Sequence, residues 1–334
     1  MVSHTGSLDN IAESQKSQPS AGKHEVLIKV KSVSLNYRDI AIATGQYPFA
    51  VKENVVPGSD AAGDIIETGE GVSGFEKGDR VVIAFEPTTL YGPIKTWTTA
   101  LGGPADGVLR QYIAVPTSAV VKIPESSALS YAQWASVVCT GTTAWNALCG
   151  NNPLRPGQTV LFQGTGGVSI TGLALAKAAG ATTIITSSSD EKLEHVKAKY
   201  GADYTINYKK TPNWAAEARK ITGGQGVDYI LENGGSGTSN TIGFGGVIAI
   251  IGFLSSATQE NMPDVASLTL SKGAVVHGIM VGSKQQLEEV VRFIGERGLP
   301  VPVEKTSKFG RDQVVEALKY VASGQHIGKV CIDF

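Results

Sequence analysis

The sequence predicts an α/β protein of two parts, a partly barrel-like β domain and a doubly wound parallel sheet. Three observations carry this. Residues 23–125 hold short alternating apolar runs cut by Gly and Pro. Beyond residue 126, strands alternate instead with helical stretches. A strand–glycine turn–helix unit over residues 159–170 heads that second part. The predicted boundaries are 23–125 with 300–334 for the β domain and 126–299 for the parallel sheet. Residues 1–22 are read as a polar, poorly ordered N-terminal segment.

From Glu25, Val26, Ile28 and Val30 alternate with Leu27, Lys29 and Lys31, the period of a strand. Residues 61–67 form the next strand, closed by a turn-rich stretch at 68–74. Lys77-Gly78-Asp79 announces another at 80–85, and a strand at 111–115 stops at Pro116. The pattern then changes. Residues 130–148 are apolar and small, as in a buried helix. Pro156-Gly157 introduces a strand at 159–163, the glycine turn and an alanine-rich helix at 170–179. Strands at 182–187, 204–206, 227–231 and 247–251 and helices at 191–199 and 214–221 complete the alternation. Residues 309–322 have amphipathic helical spacing, and 329–332 are predicted to return as a strand to the first domain.

Composition excludes several functions. The 334 residues are 42% hydrophobic and 18% charged, which allows an ample core in an ordinary globular protein. A net charge of -1 and the lack of a basic run argue against nucleic acid or an anionic membrane as a partner. No segment approaches the ~20 apolar residues of a membrane span. The polar start lacks a signal peptide's apolar stretch, so the expected location is cytoplasmic. Cys139, Cys149 and Cys331 are too scattered for a disulfide framework, and His4, His24, His195, His277 and His326 show no metal-like spacing.

The glycine turn carries the first functional signal. A dinucleotide's pyrophosphate needs donors, and a helix N-terminus offers free backbone N–H groups and a positive dipole end. Gly164-Thr165-Gly166-Gly167-Val168-Ser169 supplies an approach free of side chains between strand and helix. Ser169 replaces the third glycine of the usual fingerprint and is small enough to pack helix on strand. The competing reading is an ordinary glycine-rich loop. The end of the next strand selects the cofactor. NAD sites usually carry Asp or Glu there, whereas Ser188 stands 24 residues after Gly164. Ser187, Ser188 and Ser189 offer hydroxyls and Lys192 a cation, which suits a 2′-phosphate, so NADP(H) is favoured. The same serines also suit a cap for the helix starting near Asp190.

Three stretches resemble the medium-chain dehydrogenase/reductase superfamily. They are Ser34-Leu35-Asn36-Tyr37-Arg38-Asp39 with Gly45-Gln46-Tyr47-Pro48, Pro57-Gly58-Ser59-Asp60-Ala61-Ala62-Gly63 with Gly78-Asp79-Arg80-Val81, and the glycine turn with Ser187 to Leu193 and Ile206-Asn207-Tyr208. The ending Gly324-Gln325-His326-Ile327-Gly328-Lys329-Val330 also fits. The resemblance spans about residues 24–334 and implies a GroES-like β domain beside a Rossmann domain. Within the superfamily the chain resembles the zinc-independent branch of quinone oxidoreductases and enoyl reductases. Zinc members carry Cys where Asn36 stands and a His-Glu pair where Ser59-Asp60 stands. Cys139 falls at their last catalytic ligand, but one thiolate does not hold zinc alone. Residues 86–110 contain no cysteine of a structural-zinc lobe. No metal is expected, and Cys139 is read as a small apolar residue at the cofactor wall.

By this resemblance Thr143 lies near the nicotinamide. Ser188, Lys192 and Tyr208 surround the 2′-phosphate, and Asn233, Gly252, Phe253 and Leu254 line the nicotinamide ribose side. Gly328 and Lys329 approach from the C-terminus. Asn36 is expected to hold the substrate oxygen and Tyr47 to donate a bond or a proton, with Tyr37 nearby as pocket wall or donor. Asp39 is read as fixing its loop with Arg38. Tyr91, Trp97 and Leu101 suggest an apolar, carbonyl-containing substrate. The leading expectation is reduction of an enone, enoyl group or quinone by NADPH. The alternatives are an alcohol dehydrogenase or carbonyl reductase, and a non-catalytic NADPH-binding protein. Family members pair along the sheet edge where residues 274–280 are apolar, so a homodimer is expected. Two features depart from the family: the polar N-terminus replaces its first strand, and only residues 235–244 precede the Gly245-Gly246 turn. A parallel crossover usually needs a dozen or more residues.

Overall fold

The computed structural model describes His4 and residues 6–234, 240–252 and 264–334. The chain divides into two units, Met1–Thr142 with Val281–Phe334, and Thr143–Met280. In order, the first unit holds β1 (Glu25–Ser34), α1 (Tyr37–Ala43), β2 (Asp60–Thr68), β3 (Arg80–Ile83), β4 (Tyr112–Pro116) and β5 (Val120–Lys122). A helical run follows, with α2 (Tyr131–Ser136) and α3 (Thr142–Trp145) separated by a π-helical stretch, Val137–Gly141. The second unit alternates β6 (Thr159–Gln163), α4 (Gly167–Ala178), β7 (Thr182–Ser187), α5 (Asp190–Tyr200), β8 (Tyr204–Asn207), α6 (Trp214–Ile221), β9 (Val227–Glu232), β10 (Ile242–Ile250), α7 (Val265–Lys272) and β11 (Val275–Gly278). The chain then completes the first unit with α8 (Lys284–Arg297), β12 (Val303–Lys308), α9 (Arg311–Ala322) and β13 (Lys329–Asp333).

In the first unit β1 is the spine, pairing antiparallel with β2, β4 and β13, while β3 and β5 extend the sheet past β2. Val26, Ile28, Val30 and Val33 of β1 are buried against Ile113, Leu318 and Ile332. Each such side chain stabilises the fold by roughly 1.5–3 kcal/mol. In the second unit all strands are parallel, in the order β11-β10-β9-β6-β7-β8. The order reverses between β6 and β9, so the C-terminal ends of those two strands frame a switch point, the usual ligand site of such sheets. Among the described residues no helix is long and apolar enough to cross a membrane.

The structure adds three points to the sequence reading. Residues 6–11 are anchored rather than loose, whereas residues 13–20 are exposed. Leu8 and Ile11 are buried in the first core. Arg311 clamps the segment by donating to Ile11 O at 2.9 Å and Asp9 O at 2.7 Å. Two apolar residues and one arginine fork suffice in an otherwise polar stretch. The compact units divide at 142/143 and 280/281, beside domain limits of 125/126 and 299/300 read from the sequence. The reason is that α2 packs on β1 and β2, and α8 packs on β5 and the π-helical stretch. Finally, the short connection still delivers β10 as a parallel neighbour of β9, with Ile242 level with Val227. Glycines allow the close re-entry: a Cβ on Gly226 would lie 2.7 Å from Gly243 N and 2.8 Å from Thr241 O.

Candidate functional site

In the first unit Asp60, at the start of β2, is fully buried. Its Oδ2 accepts from Asn36 Nδ2 at 2.9 Å and from the Cys139 backbone N–H at 3.2 Å. Its Oδ1 accepts from Ser59 Oγ at 2.6 Å. Asn36 precedes α1 and turns its Oδ1 to the buried Lys329 Nζ at 2.6 Å. That ammonium also donates to Leu35 O. Burial pushes the Asp60 pKa up, while the Lys329 charge and the Asn36, Ser59 and Cys139 donors pull it back. The amide orientation of Asn36 follows from its neighbours, because only its oxygen can face an ammonium. One Asn36 N–H and one Lys329 N–H remain beyond these bonds.

Asp39 closes the first turn of α1 by accepting the Asn36 N–H at 2.8 Å. Its other oxygen is buried without a partner among the described residues. Desolvation raises its pKa to about 6, against the Asn36 hydrogen bond and the Arg38 charge. Arg38 makes no direct ion pair with Asp39, contrary to the sequence reading. It donates from Nε to Tyr47 Oη at 3.0 Å and from Nη1 to Leu101 O at 2.7 Å. Its guanidinium lies 4.9 Å from the Phe85 ring centre, 5.1 Å from Tyr47 and 5.9 Å from Trp97. Trp97 Nε1 also donates to Tyr47 Oη, at 2.9 Å. Two donors fill the phenol's acceptor capacity, so its own O–H is left to donate elsewhere. Gly103 makes room for Arg38, since a Cβ there would collide with Nη2.

The structure thus brings Asn36 into one network and Tyr47 into another. It does not recruit Tyr37, which is 55% exposed and whose hydroxyl bonds no described residue. Tyr91 is 73% exposed, while Leu101 is buried and Trp97 packs against Phe49 and Phe85. Gly328, with φ +80° and Pro302 against its Cα, serves the turn into β13. Lys329 is held by Leu35 and Asn36, a role sequence reasoning missed. No local signal links residues 293 positions apart.

In the second unit Gly164 (φ +74°) turns the chain out of β6, and Gly166 caps α4 without any side-chain bond. A Cβ on either glycine would meet nothing within 4 Å. The free N–H groups at the start of α4 therefore face open space, with half-buried Val168 beside them. That is the cradle a pyrophosphate requires. Ser169 does pack helix on strand, donating to Gln163 O at 2.7 Å. Gln163 and Glu232, missed in the sequence, knit the switch point together. Gln163 Nε2 donates to Glu232 at 3.1 Å, and Gln163 Oε1 accepts from the N–H groups of Asn233 at 3.2 Å and Gly234 at 2.8 Å. Asn233 Nδ2 reaches Ser169 Oγ at 3.3 Å. Gly252 N–H points to Glu232 O. Thr143 is buried at the start of the unit. Phe253 and Leu254 lie outside the described residues.

Beyond β7, Ser189 caps α5 by accepting the Lys192 N–H at 3.3 Å. Ser187 is buried, and its carbonyl accepts the Tyr208 N–H at 3.1 Å, which holds Tyr208 beside the serine turn. Ser188 and Lys192 are half-buried there. Asp190, the nearest carboxylate, is engaged by Lys210 and by Asn207 Nδ2 at 2.5 Å. The Lys210 bond leads the lowering of its pKa. Lys210 is the second cation of this corner and was not foreseen.

A switch-point cradle and a β domain bearing a buried polar network define a nicotinamide-dependent oxidoreductase of two units. The model of the alcohol dehydrogenase GroES-like domain matches residues 22–125, and that of the zinc-binding dehydrogenase matches residues 167–296. A zinc-type alcohol dehydrogenase-like protein of Schizosaccharomyces pombe is 44% identical over 317 residues, 92% of this chain and 90% of its own. An acryloyl-coenzyme A reductase of Metallosphaera sedula is 28% identical, over 96% of this chain and 95% of its own. A crystal structure of an NAD-dependent alcohol dehydrogenase superposes with a TM-score of 0.88 at 28% identity, over 100% of this chain and 98% of that one. The chain belongs to the medium-chain dehydrogenase/reductase superfamily. The zinc implied by the second family model does not fit this donor set. Asn36 and Asp60 oxygens are committed to Lys329, Ser59 and Cys139 N–H, and among the described residues no group of three His, Cys, Asp or Glu could hold a metal.

Proposed function

We propose that this protein reduces an enone, enoyl group or quinone with NADPH and without a catalytic metal. The carrying observation is the Asn36–Asp60–Lys329 group, in which a lysine supplies the positive charge where a zinc member would hold its ion. When bound, NADPH supplies the hydride. The chain's own residues then manage charge and proton. Negative charge develops on the substrate oxygen and needs a donor in a dry site. The remaining N–H of Asn36 is the candidate, and the unspent O–H of Tyr47 is the candidate proton source. Phe85, Phe49 and Trp97 form an apolar wall around Tyr47, suited to a small apolar carbonyl compound.

Ser188, Lys192 and Tyr208 at the end of β7, with Asp190 neutralised by Lys210, support the preference for NADPH. The likeness to an acryloyl-coenzyme A reductase supports the alkene. The likeness to alcohol dehydrogenases supports the second reading, a carbonyl or alcohol substrate. Homodimer formation along β11, whose outer edge pairs with no described strand, is part of the proposal. Steady-state rates with NADPH and NADH over a panel of enones, quinones, aldehydes and alcohols decide among these, with metal content measured on the same preparation. Stoichiometric zinc with turnover of simple alcohols refutes the metal-free reductase. Tight NADPH binding with no turnover points to the non-catalytic alternative.

A further inference from the structure

A cavity of about 550 Å³ in the first unit lies apart from both networks. One wall is the exposed stretch around Lys16, and the other carries Arg110, Tyr112 and Phe309. The volume is that of a small-molecule site. Its charge is one-sided. Arg110 is half-buried, forms no ion pair or side-chain hydrogen bond among the described residues, and buries Nε without a partner among them. Asp106, the acid that acts on it electrostatically, is already committed to Lys52 Nζ at 2.6 Å and to the Val56 N–H at 3.0 Å. Glu13, next along the segment, accepts the Arg311 N–H at 3.0 Å. No carboxylate lines the cavity, whereas two cations do.

A desolvated guanidinium N–H left unsatisfied costs roughly 1–3 kcal/mol, and such a group calls for a missing partner. The arginine fork matches a carboxylate or phosphate in two parallel hydrogen bonds. Phe309 and the Tyr112 ring add an apolar surface that a bare inorganic ion would not use. We propose that this cavity binds a small organic oxyanion, its carboxylate or phosphate head between Arg110 and Lys16 and its apolar body against Phe309. Binding would also fasten residues 14–19 to β4, because the ligand bridges Lys16 on one wall and Arg110 on the other.

The test uses the full chain saturated with NADPH, so that the dinucleotide site does not take up the probes. Benzoate, phenyl phosphate, inorganic phosphate and the neutral benzyl alcohol are titrated by calorimetry. Benzoate or phenyl phosphate should saturate one site per chain, inorganic phosphate should bind more weakly, and benzyl alcohol not at all. Which organic probe binds more tightly tells carboxylate from phosphate. R110Q should weaken the favoured probe at least about tenfold, as expected for losing a charge-assisted pair, with turnover unchanged. K16A, at an exposed position that folding does not need, should weaken it severalfold, and the probe should slow tryptic cleavage after Lys16. No saturable binding of either organic probe, or equal binding by wild type and K16A together with R110Q, overturns the proposal. If R110Q does not fold, K16A and the cleavage rate decide it alone.

Discussion

Replacing Asp39 with Asn removes a titration while keeping an acceptor for the Asn36 N–H. The buried carboxyl has a pKa of about 6 in the fold against an ordinary 3.8, and desolvation is the leading cause. Because the folded value is raised, the neutral form is favoured in the fold. Below pH 3.8 both states hold the proton and the group costs nothing. Between 3.8 and 6 the unfolded chain releases its proton first, so stability falls as pH rises. Above about pH 6 the full cost is present. One pH unit is worth ~1.4 kcal/mol, so the plateau is ~3 kcal/mol. Roughly 1 of those ~3 kcal/mol is already present at pH 4.5, which leaves ~2 kcal/mol to develop by pH 8. Asn brings its own fixed offset, since its amide meets the same partnerless surroundings as the carboxyl oxygen. The informative quantity is therefore the pH dependence of the difference between D39N and wild type. Urea unfolding, followed by the fluorescence of Trp97 and Trp134 in the first unit, reads it at half-unit steps from pH 4.5 to 8. Asp60 is present in both proteins, and its repulsion of the Asp39 carboxylate is part of the difference read. D39N should gain on wild type by ~2 kcal/mol across the range. A difference that is flat with pH, or that shrinks as pH rises, would refute the reasoning.

Tyr47→Phe should lower kcat on an enone at least about tenfold while leaving NADPH affinity intact, since it removes the O–H that Arg38 and Trp97 leave free to donate; full kcat in stopped-flow single turnovers would dismiss that role. Lys329→Met leaves the buried Asp60 without its cation and should destabilise the first unit by roughly 3–5 kcal/mol, read as a fall in Tm, and an unchanged Tm counts against the network. Ser188→Asp places a carboxylate at the β7 corner and should shift kcat/KM from NADPH towards NADH by at least about tenfold. An unaltered ratio would mean that the 2′-phosphate is held elsewhere.

Local features were legible in the sequence. The glycine turn, the β/α alternation and the returning strand β13 depend on spacing and propensity within a few residues, and they appear where expected. Partnerships between distant residues were not legible. Leu8 and Ile11 are only two apolar residues in a polar segment, too few to announce an element, and their burial depends on α9 arriving from the other end of the chain. Arg38 stands beside Asp39, and adjacency suggested a pair. In α1, however, neighbouring side chains diverge, and Arg38 is drawn instead to Tyr47 and Leu101. The boundary near residue 125 was placed where the sequence grammar changes, but the first unit continues through α2, because its buried face packs on β1 and β2.

The same physical substitution occurs at both candidate sites. At the β7 corner the sequence reading finds no carboxylate at Ser188 but places Asp190 at the start of the next helix, where it stands. It does not oppose a phosphate, because Lys210 and Asn207 already bind it. The proposed preference for NADPH therefore rests on how this acid is neutralised as well as on the absence of a carboxylate at Ser188. At the start of β2 the proposed metal-free site rests on a similar balance. Asp60 is buried and needs positive charge nearby, and Lys329 provides it through Asn36. This yields a last prediction. Asn36→Cys with Ser59→His recreates two zinc ligands beside Cys139, but an ammonium a few ångströms away repels a divalent cation. The double variant should take up little zinc, and adding Lys329→Met should raise the bound metal towards one per chain, as measured by elemental analysis after dialysis. Equal zinc in the double and triple variants would show that Lys329 does not stand in for the metal.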